Sequence, residues 1–112
     1  MELKELALRT REEIEQELNK MYPYPENPTY SDEVDQVLEK RAEFSKNITR
    51  LQVEALLDGK LTIDQVVAQQ HSEEKGIDDM HRNVLKEAIG RLEEGKNRED
   101  IIDKTAVMLQ LL

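Results

Sequence analysis

The segment between Pro28 and Gly59 contains neither glycine nor proline, and this uninterrupted stretch constrains the fold more than any other feature of the sequence. Helical spacing within it predicts one helix over residues 32–57, about 40 Å long at 1.5 Å per residue. A helix of this length often pairs with a second copy of itself along its apolar side. The seven-residue repeat that suggests such pairing comprises Val34, Leu38, Arg41, Phe44 or Ser45, Ile48, Leu51 and Ala55.

Apolar side chains at spacings of three and four predict four further helices. Glycine in the left-handed conformation commonly ends a helix, and Gly59, Gly76 and Gly95 are expected to do so. Thr62 and Asn97 are expected to cap the helices that follow. The four further helices are predicted over residues 3–21, 63–75, 79–94 and 98–111.

Two glycines lie in similar local sequences. Leu-Leu-Asp-Gly-Lys around Gly59 and Leu-Glu-Glu-Gly-Lys around Gly95 are 36 residues apart, and each precedes a capped helix. Either a degenerate duplication or the independent use of the same turn residues explains this repeated pattern. Gly90 lies inside the predicted 79–94 helix, where a close contact with another helix would explain it.

The segment 22–31 is rich in proline and tyrosine and cannot be helical. Its three prolines lack backbone donors and push the residues before them towards extended geometry. All three tyrosines of the chain, Tyr22, Tyr24 and Tyr30, lie here. Either their rings cover one end of a helical bundle, or they form an exposed recognition segment.

The segment 106–112, Ala-Val-Met-Leu-Gln-Leu-Leu, is apolar almost all round. A helix of this kind must be buried, either in the core of its own chain or against another chain. If nothing covered it, it would form an adhesive patch. Met108, Leu109 and Leu112 are therefore candidate interaction residues.

Composition and pattern together predict the fold class. Leucine, isoleucine, valine and phenylalanine make up about a quarter of the 112 residues, enough for a highly charged chain to fold. We expect one all-α domain over residues 1–112: a bundle of four to five helices, with a long second helix and a Pro/Tyr-rich loop after the first. The chain has no cysteine, which excludes disulfides and thiolate sites.

The net charge of −9 bears on the choice of partner. An acidic surface repels phosphates, so nucleic-acid binding is disfavoured, although an acidic chain can itself mimic nucleic acid. The charged start of the chain does not resemble a signal peptide, and no apolar run approaches the length of a membrane span. We therefore expect a cytoplasmic protein without a membrane partner.

Two sets of residues suggest metal chemistry, and neither fits well. His71 with Glu74 and Asp78 with His81 have the i,i+3 spacing of di-iron sites, but both pairs are expected at solvated helix ends. All-helical nucleotide pyrophosphatases hold Mg²⁺ with clustered carboxylates, whose spacing this chain does not reproduce. The carboxylates concerned are Glu12, Glu13, Glu17, Glu93, Glu94, Glu99 and Asp103. No catalytic residue, cofactor or metal ligand is assigned.

The favoured interpretation is a small, acidic, non-enzymatic interaction or regulatory accessory protein of the kind found in bacteria and phages. It would bind a protein partner or itself, as a dimer. The alternatives are a Mg²⁺-dependent nucleotide pyrophosphatase-like hydrolase and an acidic mimic that occupies a nucleic-acid-binding partner. The candidate interaction residues are Tyr22, Tyr24, Tyr30, Leu38, Phe44, Ile48, Met108, Leu109 and Leu112.

Overall fold

The computed structural model describes residues 1–25, 32–70 and 74–112, and every regular element in these ranges is an α-helix. The all-α prediction is therefore confirmed. Tyr30, His71 and most of the expected Pro/Tyr loop lie outside the described residues. The helices are α1 (Leu3–Leu6), α2 (Arg11–Met21), α3 (Asp32–Leu57), α4 (Ile63–Gln69), α5 (Lys75–Glu93) and α6 (Arg98–Leu111).

The single helix expected over residues 3–21 is instead two helices, α1 and α2. Thr10 lies between them in an extended conformation, with φ −67° and ψ 158°. The backbone N–H of Glu13 donates to the Thr10 hydroxyl at 3.3 Å, so Thr10 is the N-cap of a new helix. Thr10-x-x-Glu13 is the sequence signature of a capping box, so the break was visible in the sequence.

Two of the three glycines end helices and the third does not. Gly59 has φ +78° and Gly95 has φ +82°, and each lies in a Schellman motif that closes α3 or α5. The N–H of Lys60 donates to the carbonyl of Ala55 at 2.9 Å, and Lys96 makes the equivalent bond to Arg91 at 3.1 Å. Gly76 lies in the first turn of α5, which begins at Lys75 rather than near residue 79.

Helix α3 contributes to both clusters of buried apolar side chains. In the amino-terminal cluster, Phe44 and Ile48 of α3 pack with Leu6 and Ala7, and the partly buried side chains of α2 lie against them. The carboxy-terminal cluster joins the last turns of α3 to α4, α5 and α6. Its members are Val53, Ala55, Leu56, Leu61, Val66, Val67, Leu85, Ile102 and Leu109.

The first half of α3 extends beyond these clusters. No side chain between residues 32 and 43 is buried, and Phe44 is the first that is. The molecule measures 50 × 29 × 22 Å, with a radius of gyration of 15.1 Å. A compact chain of this length would have a radius of about 13 Å. The long helix α3 therefore elongates the molecule.

Helix α6 runs antiparallel to α3, and ion pairs link the two helices. Arg98 at the start of α6 pairs with Asp58 at the end of α3, at 2.7 Å. Arg50, two turns earlier in α3, pairs with Glu99 at 3.6 Å and with Asp103. These partly exposed contacts join the two helices along about one and a half turns of α6. The side of α6 that faces the core carries the buried side chains of Ile102, Ala106 and Leu109.

Two glycine-to-alanine substitutions should change stability in opposite directions. Gly59→Ala places a side chain in the left-handed region and should lower the free energy of unfolding by about 1–2 kcal/mol. Gly90 is helical, and an added Cβ would meet no atom within 4 Å, contrary to the expected close contact. Gly90→Ala should therefore raise the free energy of unfolding by about 0.5–1 kcal/mol. Urea denaturation followed by circular dichroism measures both, and a loss of stability in Gly90→Ala would contradict this account.

Candidate interaction surfaces

Helix α6 has a charged first half and an uncharged second half. Asn97 caps it by accepting the backbone N–H of Asp100 at 2.9 Å, and Lys104 pairs with Asp100 at 2.9 Å. From Thr105 to Leu112 no side chain carries a charge, in a chain of which 37% of the residues are charged. This uncharged half is where the apolar segment predicted from the sequence lies.

The apolar segment of α6 is buried on one side only. Ala106 and Leu109 lie in the core of the same chain. Four other side chains point outwards and are between 36% and 80% exposed, with Leu111 the most exposed. We call these four the α6 apolar surface; they are Val107, Met108, Leu111 and Leu112.

Helix α5 extends this surface. Val84 of α5 and Met108 of α6 line the same shallow cleft, which shows how the two helices lie side by side. The short turn between them makes them antiparallel, so Met80 lies one turn beyond Val84 in the direction of the last turn of α6. Met80 is about half exposed and continues the apolar surface.

Arg41 of α3 holds the segment that follows α2. Its guanidinium group donates to the carbonyl oxygen of Tyr22 at 2.8 Å and to Oδ1 of Asn19 at 3.0 Å. The same group lies 4.1 Å from the centre of the Tyr24 ring, within the range of a cation–π contact. Tyr22 packs edge-on against Phe44 with ring centres 6.4 Å apart. Tyr22 therefore faces the interior, whereas Tyr24 is exposed on the surface.

A second apolar surface lies beside Tyr22. A groove of about 290 Å³ runs between α1, α2 and α3. Met1, Leu3 and Met21 line it and are exposed. Charged side chains also line this groove, namely Glu17, Lys40 and Glu43.

The candidate residues of α3 are divided between core and surface. Phe44 and Ile48 are buried in the amino-terminal cluster, so their side chains contact α1 and α2 of the same chain. Leu38 is 47% exposed and lies between Asp35 and Glu39 on the acidic first turns of α3. Of the three candidate interaction residues of α3, Leu38 is exposed and the other two are buried.

The buried Gln52 and the partly buried Gln69 and Gln70 make contacts that had no signal in the sequence. Nε2 of Gln69 donates to the carbonyl oxygens of Ala7 and Arg9, both at 2.7 Å, and so ties α4 to the turn between α1 and α2. Gln70 donates to Oε1 of the buried Gln52 at 3.2 Å. Side-chain amides thus join elements whose sequence separation gave no indication of contact.

His81 is buried, contrary to the solvated position expected from its place in the sequence. Only 3% of the residue is exposed, and neither ring nitrogen has a hydrogen-bond partner in the described parts of the chain. Burying an unpaired polar atom costs free energy. The unpaired nitrogens of His81 therefore lower the free energy of unfolding.

Three of the carboxylates that suggested Mg²⁺ binding have other partners. Glu99 and Asp103 pair with Arg50, while Glu13 accepts a hydrogen bond from the hydroxyl of Thr10 at 3.3 Å. Among the residues that the structure describes, no three histidine, aspartate or glutamate side chains lie where they could hold a metal ion.

None of the helices in the described ranges is long and apolar enough to cross a membrane. Comparison of the chain with protein-family models, with curated proteins and with solved structures finds no match. The arrangement of residues is therefore the basis for any functional conclusion.

Arg41→Ala should lower the free energy of unfolding by about 1–2 kcal/mol, because it removes two hydrogen bonds from a charged donor and a ring contact. Arg91→Ala is the matched control, since Arg91 makes one exposed i,i+4 pair with Glu87 and should cost only about 0.3 kcal/mol. Urea denaturation measures both variants. Equal losses would show that Arg41 does not anchor the Tyr22–Tyr24 segment.

His81→Leu should raise the free energy of unfolding by about 1 kcal/mol, because it replaces two unpaired buried nitrogens with an apolar side chain of similar size. His81→Gln keeps polar atoms in the same place and should give no gain. Thermal and urea denaturation of the two variants test this. A clear loss of stability in His81→Leu would mean that the imidazole nitrogens do have partners in solution.

Proposed function

We propose that this chain is a non-enzymatic interaction protein whose activity is to bind another protein chain, in the first instance a second copy of itself. The observation that carries the proposal is the α6 apolar surface, four large side chains that face outwards on a helix half that has no charged side chain. Contiguous apolar side chains of this kind typically mark protein-binding surfaces.

The burial pattern of α6 supports this proposal. Ala106 and Leu109 already complete the core of the chain, so the outward side chains are not needed for its interior. Exposed leucine and methionine side chains gain free energy when another apolar surface covers them. The methionines also adapt to the shape of a partner because their side chains are flexible.

The two alternative functions receive less support from the described residues. A Mg²⁺-dependent hydrolase would need converging carboxylates, and Glu99 and Asp103 instead lie against Arg50. A mimic of nucleic acid would need an unbroken array of negative charge. The acidic groups are instead interleaved with bases in pairs such as Arg91–Glu87 and Lys104–Asp100.

Light scattering coupled to size exclusion, over micromolar to millimolar protein concentrations, tests the proposal. We expect the mean mass to rise from that of a monomer to that of a dimer. Raising the salt concentration should increase the dimer fraction, because it screens the repulsion between two chains of charge −9. A monomer at every concentration and every salt concentration would contradict self-association.

A further inference from the structure

Helix α2 is tied to the rest of the chain at both ends and buries no residue in between. At its start, Nε2 of Gln69 donates to the carbonyl oxygens of Ala7 and Arg9. At its end, Arg41 of α3 donates to the carbonyl oxygen of Tyr22. Between these two ties lies a cleft of about 300 Å³ that α2, α3 and the end of α4 enclose. We call it the α2 cleft.

We infer that the α2 cleft binds a small neutral molecule that joins an apolar ring to an amide group. This inference does not depend on the proposed function, because the described residues that line the cleft belong to α2, α3 and the end of α4. The volume lies at the lower end of the range for small-molecule sites, about 300–1,000 Å³. The two ties cross the ends of the cleft, so a peptide chain could not run through it without breaking them.

Part of the lining is apolar. Ile14 and Leu18 of α2 line the cleft together with Phe44 and Ile48 of α3. The two α2 side chains are only partly buried against the amino-terminal cluster. A flat ring placed between them would cover apolar surface that is open to water, which stabilises the complex. The cleft therefore favours a ligand with an apolar body over a wholly polar one.

Three glutamine amides form much of the polar lining. Gln52 is 2% exposed, and its Oε1 accepts from Nε2 of Gln70 at 3.2 Å. That bond uses only the oxygen of the Gln52 amide, so its N–H groups can donate to a ligand. Oε1 of Gln69 is buried and accepts no hydrogen bond from the described residues. An unpaired buried polar atom costs free energy, which a ligand recovers when it supplies the partner.

These atoms specify what the ligand must offer. The N–H groups of Gln52 require an acceptor, and Oε1 of Gln69 requires a donor. An amide group, as in a carboxamide or a lactam, carries both side by side, whereas a carboxylate offers acceptors alone. The charged residues of the described lining are Arg11 and Glu15, which form an ion pair at 3.6 Å. The cleft therefore presents no unbalanced charge to an ionic ligand.

The groove beside Met21 lacks these features. Its buried side chains, Leu6 and Phe44, are apolar. The α2 cleft differs because a buried amide lies in its lining, and this amide gives the cleft a preference for one chemical group.

A titration followed by ¹H–¹⁵N correlation spectra tests the inference, with benzamide as the probe. We expect saturable shifts of the side-chain amide signals of Gln52 and Gln70, with a Kd of about 1 mM, as for other very small ligands. Benzoate has the same ring without the donor, and acetamide has the amide without the ring. Both should bind about tenfold more weakly or worse. No saturable shift with benzamide, or equal affinities for benzamide and benzoate, would overturn the inference.

A pair of glutamine substitutions locates the site. Gln52→Leu replaces the amide with an apolar side chain of similar size and should weaken benzamide binding about tenfold. Gln36→Leu is the matched control, because Gln36 is an exposed glutamine of the same helix outside the cleft. It should leave the Kd within about twofold of the unmodified protein. Equal effects of the two substitutions would overturn the inference.

Ser45→Phe provides a test that does not depend on a buried substitution. Ser45 lines the cleft and is itself exposed, so a ring at this position can fill the cleft without displacing the core. We expect an unchanged circular dichroism spectrum and benzamide binding weakened about tenfold or more. Unchanged binding in a folded Ser45→Phe variant would show that benzamide binds elsewhere and would overturn the inference.

Discussion

The buried side of α3 between Phe44 and Leu56 is the interaction on which the rest of the structure depends. It supplies Phe44 and Ile48 to one apolar cluster and Val53 and Leu56 to the other. The amino-terminal helices and the three carboxy-terminal helices therefore pack against the same helix, α3. Helix α6 packs into the second cluster through Ile102 and Leu109, and ion pairs of Arg50 and Arg98 accompany this contact. The docking of α6 therefore also decides which of its side chains remain outside.

Local sequence rules predicted the elements that depend on local chemistry. The long helix without glycine or proline spans Asp32–Leu57, and the left-handed glycines at 59 and 95 end their helices as expected. The break at Thr10 was also encoded locally, but an apolar period that continued through it concealed the cap. Gly76 shows the limit of the rule, since a glycine after a helix does not always lie at its end and here lies in the first turn of the next.

The candidate site was only partly predictable because burial on a helix depends on tertiary packing. The sequence identified residues 106–112 as apolar but could not show that Leu109 faces inwards and Met108 outwards, since this follows from the docking of α6 on α3. The burial of His81 was missed for the same reason. The exposure of the tyrosines also depends on tertiary packing. The ring of Tyr22 packs against Phe44, while Tyr24 lies on the surface under Arg41. A net charge of −9 adds the final constraint, because it favours contact where the surface is uncharged.

We propose that two copies of the chain meet through the outward side of α6. Isotope-filtered nuclear Overhauser spectroscopy on an equal mixture of ¹³C-labelled and unlabelled protein tests it most directly, because it detects only contacts between different copies. Intermolecular signals are expected among the methyl groups of Met108, Leu111 and Leu112. Intermolecular signals confined to Val34 and Leu38 of α3, or to Leu3 and Met21 of the groove, would contradict it.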